Sequence, residues 1–201
     1  YKERYKGKKL LLGLQYAPLR AAFSNRPPKV IKSKAEHLLL LSGGSDPFHM
    51  LEHLIKEIRK DRYKRIDVIC GKYYMDYDAI CARYSQYRNV YFHKEVNNIE
   101  DYMTKADMAV SAGGTTLYEL CACGTPVISY SFADNQLDNV KGFQKAGLID
   151  YAGDARYDKV REKILQYLDI YMEDMHLRMR RSKRMQEIVD GKGALRIARE
   201  L

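Results

Sequence analysis

A chain of 201 residues is long enough for one α/β domain with a substantial core, or for two small domains. Its 46% hydrophobic and 30% charged composition is that of an ordinary folded protein, and no uninterrupted apolar run approaches the roughly 20 residues a membrane helix needs. The formal charge of +9 admits nucleic acid, an anionic membrane surface or a phosphate-bearing substrate as partner.

The chain begins at Tyr1 with no leader-like apolar stretch, so a removed segment or an excised fragment is expected. Its basic excess starts early, between Lys2 and Lys9. Residues 9–23 sit outside the β-α pattern that follows, and Ser24-Asn-Arg-Pro-Pro28 reads as a linker. His37-Leu-Leu-Leu-Leu-Ser42 is a continuous apolar run ending at Gly43-Gly44, as a buried parallel strand reads. Residues 47–60 follow as a helix with Leu51, Leu54, Ile55 and Ile58 on one face. Strands are predicted at 65–70, 89–93, 107–111, 126–130 and 148–151, with helices at 76–84, 98–105, 115–123 and 135–146 between them. Residues 156–189 read as mostly helix with one break, and Gly191-Lys-Gly193 separates a last helix at 194–201. The run Arg178-Met-Arg-Arg-Ser-Lys-Arg184 lies on this helical pattern and reads most simply as a solvated face; a membrane surface or nucleic acid is the alternative.

Repeated β-α units with short loops predict an α/β fold with a doubly wound parallel sheet. Ligands of such sheets bind beyond the carboxyl ends of the strands. The turns at Gly43-Gly44, Gly113-Gly114 and Asp134-Asn135 all fall at such ends, so together they predict one cleft.

The most informative stretch is Ser111-Ala-Gly-Gly-Thr-Thr-Leu-Tyr-Glu119, a strand running through a Gly-Gly turn into a helix. Such a turn places bare amides at a helix N-terminus, where the helix dipole favours an anion. Glu119 lies about one turn inside, within reach of a hydroxyl-bearing group attached to that anion. A phosphate on the amides and a ribose on the carboxylate is the simplest ligand satisfying both. A structural account competes: Thr116-Leu-Tyr-Glu119 fits a capping box, although it leaves the two glycines unexplained. Likewise Asp46 and Pro47 can cap and open a helix, while Gly43, Gly44 and Ser45 can admit a phosphate or sugar to the backbone. Asp134-Asn-Gln136 can cap the next helix or read sugar hydroxyls.

The four cysteines lie in apolar or helical contexts and suit free buried thiols in a reducing cytoplasm. His37, His53 and His176 read as packing or surface residues, and His49 and His93 as candidates to line the cleft. Nothing in the sequence calls for a metal or cofactor, and no general base stands out.

Five segments carry a resemblance: Leu11-Leu-Gly-Leu-Gln-Tyr-Ala-Pro-Leu-Arg-Ala-Ala-Phe23, Ser42-Gly-Gly-Ser-Asp-Pro47, Ser111 to Leu120, Ala133-Asp-Asn-Gln136 and Asp190-Gly-Lys-Gly-Ala194. Together, and in this order, they resemble the UDP-sugar hydrolases of the pseudaminic acid pathway and related proteins of spore-coat and surface polysaccharide synthesis. The resemblance implies a GT-B architecture, two Rossmann-like domains about a cleft, as in the peptidoglycan GlcNAc transferase. This chain would be the C-terminal, donor-binding domain: residues 1–28 the crossing segment and linker, residues 29–201 the Rossmann-like unit. The N-terminal domain of the same protein would be its partner, and a UDP-sugar its ligand, with no nucleic acid and no membrane. It further implies that Gly113, Gly114, Thr115 and Thr116 hold the diphosphate and that Glu119 binds the ribose. Gly43, Gly44 and Ser45 would face the phosphate, Asn135 and Gln136 the sugar, and the backbone near Val96 the uracil. The histidine thought to assist water attack in those hydrolases belongs to the other domain. A glycosyltransferase of the same fold is the alternative.

Overall fold

The computed structural model describes residues 5–200; Lys2 of the basic run and Leu201 of the last predicted helix lie outside them. Six strands form one sheet: β1 (His37–Leu41), β2 (Arg65–Cys70), β3 (Val90–Lys94), β4 (Met108–Ala112), β5 (Val127–Ser131) and β6 (Ile149–Asp154). Every pairing is parallel, and the order is β3-β2-β1-β4-β5-β6. The winding reverses between β1 and β4, which opens a crevice above their carboxyl ends.

Successive residues of β1 point to opposite faces, so its apolar run feeds two cores. Leu38 and Leu40 pack with α1 (Met50–Glu57), α2 (Tyr77–Arg83) and α6 (Val160–Glu173). Leu39 and Leu41 pack with α3 (Ile99–Lys105), α4 (Thr116–Ala122), α5 (Asp134–Lys145) and the end of α7 (Met175–Ile188). This two-sided burial explains why the strand reads as four consecutive apolar positions rather than an alternation.

Several boundaries differ from the sequence reading. The first helix starts at Met50, not at residue 47, because the Asp46 carboxylate accepts the amides of Met50 (2.9 Å) and Leu51 (2.8 Å). Residues 47–49 are spent reaching that geometry, and His49 is left-handed at φ 50°. The break in the long helix falls at Asp174, whose side chain accepts the Leu177 amide at 2.7 Å and caps α7. The last strand runs on to Asp154, and the helix expected from residue 156 begins at Val160. Arg178 does not lie on a solvated face. It is 1% exposed, and its guanidinium donates to the carbonyls of Tyr171, Met172, Lys32 and Ser33, stitching the α6 end to the chain before β1. Arg181 likewise binds Asp150 at 2.8 Å.

The terminal Asp190-Gly-Lys-Gly stretch forms a clasp on the opening segment. A Cβ on Gly193 would strike the Ala17 carbonyl, and one on Gly191 (φ +75°) the Phe23 carbonyl. Arg196 of α8 (Gly193–Ala198) binds Asp190 through two bonds of 2.6–2.7 Å and donates to the Gln15 carbonyl. Phe23 is thereby held fully buried.

Candidate functional site

The three predicted turns do share the carboxyl edge of the sheet: residues 43–45 follow β1, residues 113–115 follow β4, and α5 begins three residues after β5. In the first turn Gly43 has φ +85°, a conformation that other residues adopt only with strain. A fourth glycine, Gly71 after β2, supports it: a Cβ there would collide with the Gly43-Gly44 backbone, and the Gly44 carbonyl accepts the Tyr73 amide at 2.9 Å. Ser45 is half-buried, and its hydroxyl makes no hydrogen bond with the described residues.

In the second turn the two glycines differ in purpose. A Cβ on Gly113 would collide with the Val140 methyl of α5, so this glycine is required by packing. Nothing lies within 4 Å of the position a Gly114 Cβ would take. The Gly113 amide donates to the Tyr130 carbonyl (2.7 Å) and the Gly114 amide to that of Ala112 (2.9 Å). The amides left open at the start of α4 are therefore those of Thr115 and Thr116, together with their hydroxyls. Carbonyls of the turn are engaged from α5: Asn139 Nδ2 donates to Gly113 O (2.9 Å) and Gly114 O (3.2 Å), and its Oδ1 accepts the Tyr118 hydroxyl (2.9 Å).

The capping box is not formed. Thr115 is the N-cap residue, and no side chain bonds the first turn of α4. Glu119 is half-buried, and its carboxylate makes no hydrogen bond with the described residues. Burial pushes its carboxyl above the usual glutamate range; the Arg20 guanidinium opposes this and Glu100 reinforces it. A half-buried carboxylate without a donor keeps its acceptor oxygens open.

At the third turn, Gln136 Oε1 accepts the Phe132 amide at 2.9 Å, which fixes its side chain and leaves Nε2 open, and Asn135 is exposed. Asp134 pairs with Arg156 (2.7 Å), which also grips Asp154. Val96 packs against the core beside Ile99, just after the left-handed Glu95 (φ 52°) has turned the chain.

His37 and His93 are engaged elsewhere. Both direct Nε2 at Asp67 (2.6 and 2.7 Å), which also accepts two bonds from Arg65 (2.7 and 2.9 Å). His37, Arg65 and Asp67 line a cavity of about 760 Å3 between residues 27–32, α3 and the amino ends of β1 and β2. That cavity holds none of the glycine turns, so it and the predicted site are different places. Sequence reasoning missed Gly71 and Asn139. Gly71 carried a usable signal, a further glycine at a strand's carboxyl end.

Comparison with known proteins places this geometry. The spore coat polysaccharide biosynthesis protein SpsG of Bacillus subtilis (strain 168) is 26% identical over 191 residues, covering 92% of this chain and 56% of that protein. The chain thus spans about half the length of that relative. Among solved structures, the MurG of Acinetobacter baumannii superposes with a TM-score of 0.62 at 14% identity, covering 84% of this chain and 50% of that one. The spinosyn rhamnosyltransferase SpnG, complexed with spinosyn aglycone, superposes at 0.60 with 15% identity, covering 98% and 53%. These likenesses carry the fold: a Rossmann-like sheet of the GT-B kind. The profile of the glycosyltransferase family 28 C-terminal domain matches residues 38–192, from the first strand to the clasp, and the chain belongs to that family.

Proposed function

We propose that this chain is the UDP-sugar-binding, C-terminal half of a GT-B nucleotide-sugar hydrolase serving surface-glycan synthesis, of the pseudaminic-acid kind. One observation carries the reading: two open amides at Thr115 and Thr116 lie about one helical turn from the unpartnered, half-buried Glu119, at the sheet's switch point. Backbone amides at a helix start suit a diphosphate, and the carboxylate suits the two ribose hydroxyls. The Gly43-Gly44-Ser45 turn faces the phosphate from β1, Asn135 and Gln136 reach the sugar, and the backbone at Val96 reads the base.

The chemistry is displacement of the nucleoside diphosphate at the anomeric carbon. The Thr115 and Thr116 donors stabilise charge that grows on the leaving diphosphate. The acceptor, water or another sugar, lies with the half of the protein beyond residues 1–28. A transferase is the second reading, favoured by membership of a glycosyltransferase family and by transferases among the structural neighbours.

Calorimetric titration of the chain with UDP, UMP and ADP tests the proposal. Saturable binding of UDP, weaker for UMP and weakened in a Glu119→Ala variant, is expected. Equal affinity for all three nucleotides, or indifference to the variant, would overturn it.

A further inference from the structure

We propose that Asn139 is a positioning residue for the turn at residues 113–116, setting the direction of the amide donors that the turn offers. The inference rests on the reading of this turn as a phosphate site. Two consecutive glycines have no Cβ to bar a peptide flip, so the turn's own sequence leaves its peptide planes free to rotate. Within one planar peptide, the carbonyl and the next residue's N–H point in opposite directions. Whatever holds the Gly114 carbonyl therefore aims the Thr115 amide, and whatever holds the Gly113 carbonyl aims the Gly114 amide. Asn139 holds both, at 3.2 and 2.9 Å.

Its grip is not shared equally. Gly114 O also accepts the Leu117 amide at 3.3 Å, a long helical bond, whereas Gly113 O has no other partner among the described residues. A flip of the Gly114–Thr115 plane would turn a carbonyl oxygen, with its negative end, toward the face the Thr115 amide now occupies, while the Gly113–Gly114 plane is held at both ends, by Asn139 at its carbonyl and by the Ala112 carbonyl at its amide. Asn139 is itself oriented. The Tyr118 hydroxyl donates to Oδ1 at 2.9 Å, which leaves only Nδ2 facing the turn, and the Tyr118 ring is wedged edge-on against Phe143 of α5 at 4.7 Å. Tyr118 lies on α4 and Asn139 on α5, so the device ties the helix that binds to the helix behind it. An amide side chain suits this place because it donates twice from one nitrogen while accepting at its oxygen. Aspartate would set an oxygen against two carbonyls.

The test compares the wild-type chain with Asn139→Ala and Tyr118→Phe by backbone NMR without ligand and by UDP titration. In Asn139→Ala, the Gly114 carbonyl and Thr115 amide resonances should shift and the Thr115 amide should exchange faster. UDP affinity should fall at least tenfold with the sheet resonances unmoved. Tyr118→Phe, which keeps both Asn139 donors, should shift the same resonances less and cost affinity about threefold. Unchanged turn resonances in Asn139→Ala would overturn the proposal whether or not the wild type binds UDP. Shifted turn resonances with unaltered UDP affinity would overturn it too. A wild type that binds no nucleotide, with turn resonances that still follow Asn139, would instead remove the proposed function and leave Asn139 as the residue that orders the turn.

Discussion

Glu119 and Asp67 show one residue type put to opposite use. Glu119 has burial without donors, so its folded pKa lies above the unfolded value. Native-state stability from this group is then fully present below the unfolded pKa and is lost as pH rises through the folded one. Once ionised, Glu119 weakens the free protein, while in the proposed complex it accepts ribose hydroxyls. Glu119→Gln should therefore leave the melting temperature at pH 7 equal or higher and weaken UDP about 10- to 100-fold, the range for hydrogen bonds to a charged group. Lowering the pH through the raised value should weaken UDP in the wild type and not in the variant; calorimetry and thermal melts across pH 4–7 read both effects. At Asp67, burial alone would raise the carboxyl, but hydrogen bonds from His37, Arg65 and His93 reverse this and hold it well below the usual range. Its stabilisation is present above the unfolded value of about 3.9 and is lost as pH falls from there through the folded value. Asp67→Asn should cost about 2 kcal/mol at pH 7, the figure for a broken buried pair discounted because Arg65 is partly in solvent. Urea midpoints of wild type and variant should begin to converge as pH falls below about 4 and converge further toward the folded value; a gap that stays constant would remove the ionic account.

The unit of the site is the strand-turn-helix from β4 to α4, and its two glycines make separable predictions. Gly113→Ala drives a methyl into Val140 and should cost about 1–3 kcal/mol by denaturant unfolding, the range for overpacking. Gly114→Ala meets nothing within 4 Å and should leave stability within about 0.5 kcal/mol, yet weaken UDP if the open space belongs to the ligand. Loss of stability in Gly114→Ala, or of neither property, would contradict that division. The glycine pair itself was legible because consecutive glycines at a strand's end have no use inside an element. Strands were legible for a related reason: β1, buried on both faces, leaves an apolar run that survives without alternation. Helix starts were not. Asp46 caps at a distance of four residues, so the motif Asp-Pro, which usually opens a helix at the proline, here precedes it by a turn. The capping box failed because α4 is capped at Thr115, one residue before the Thr116 that the box requires, a shift that a four-residue spacing does not reveal. Asn139 and the bound Arg178 were hidden for a further reason, since each acts on backbone carbonyls of an element distant in sequence.

Across the whole molecule, the candidate groups gather on one edge of the sheet, while a cavity of about 760 Å3 lies toward the amino ends of β1 and β2. Phe48, Tyr73, Met75 and Tyr157 are exposed on loops that follow β1, β2 and β6, and so flank the same edge. Under the proposed function, a chain that covers 56% of SpsG would supply the donor half of a two-substrate cleft. Amides and hydroxyls at Thr115 and Thr116 can steady a leaving diphosphate, but steadying a leaving group does not activate a nucleophile. The histidines offer no remedy: His37 and His93 spend Nε2 on Asp67, away from the glycine turns, and His53 bonds Arg161 on α6. The chain should therefore bind UDP while releasing it from UDP-sugars no faster than the buffer blank, by coupled assay of free UDP under saturating substrate. Steady release by the pure chain, abolished in Glu119→Ala, would show that water activation resides within these 201 residues after all, and would move the search for the base to the carboxyl edge, where His49 begins α1.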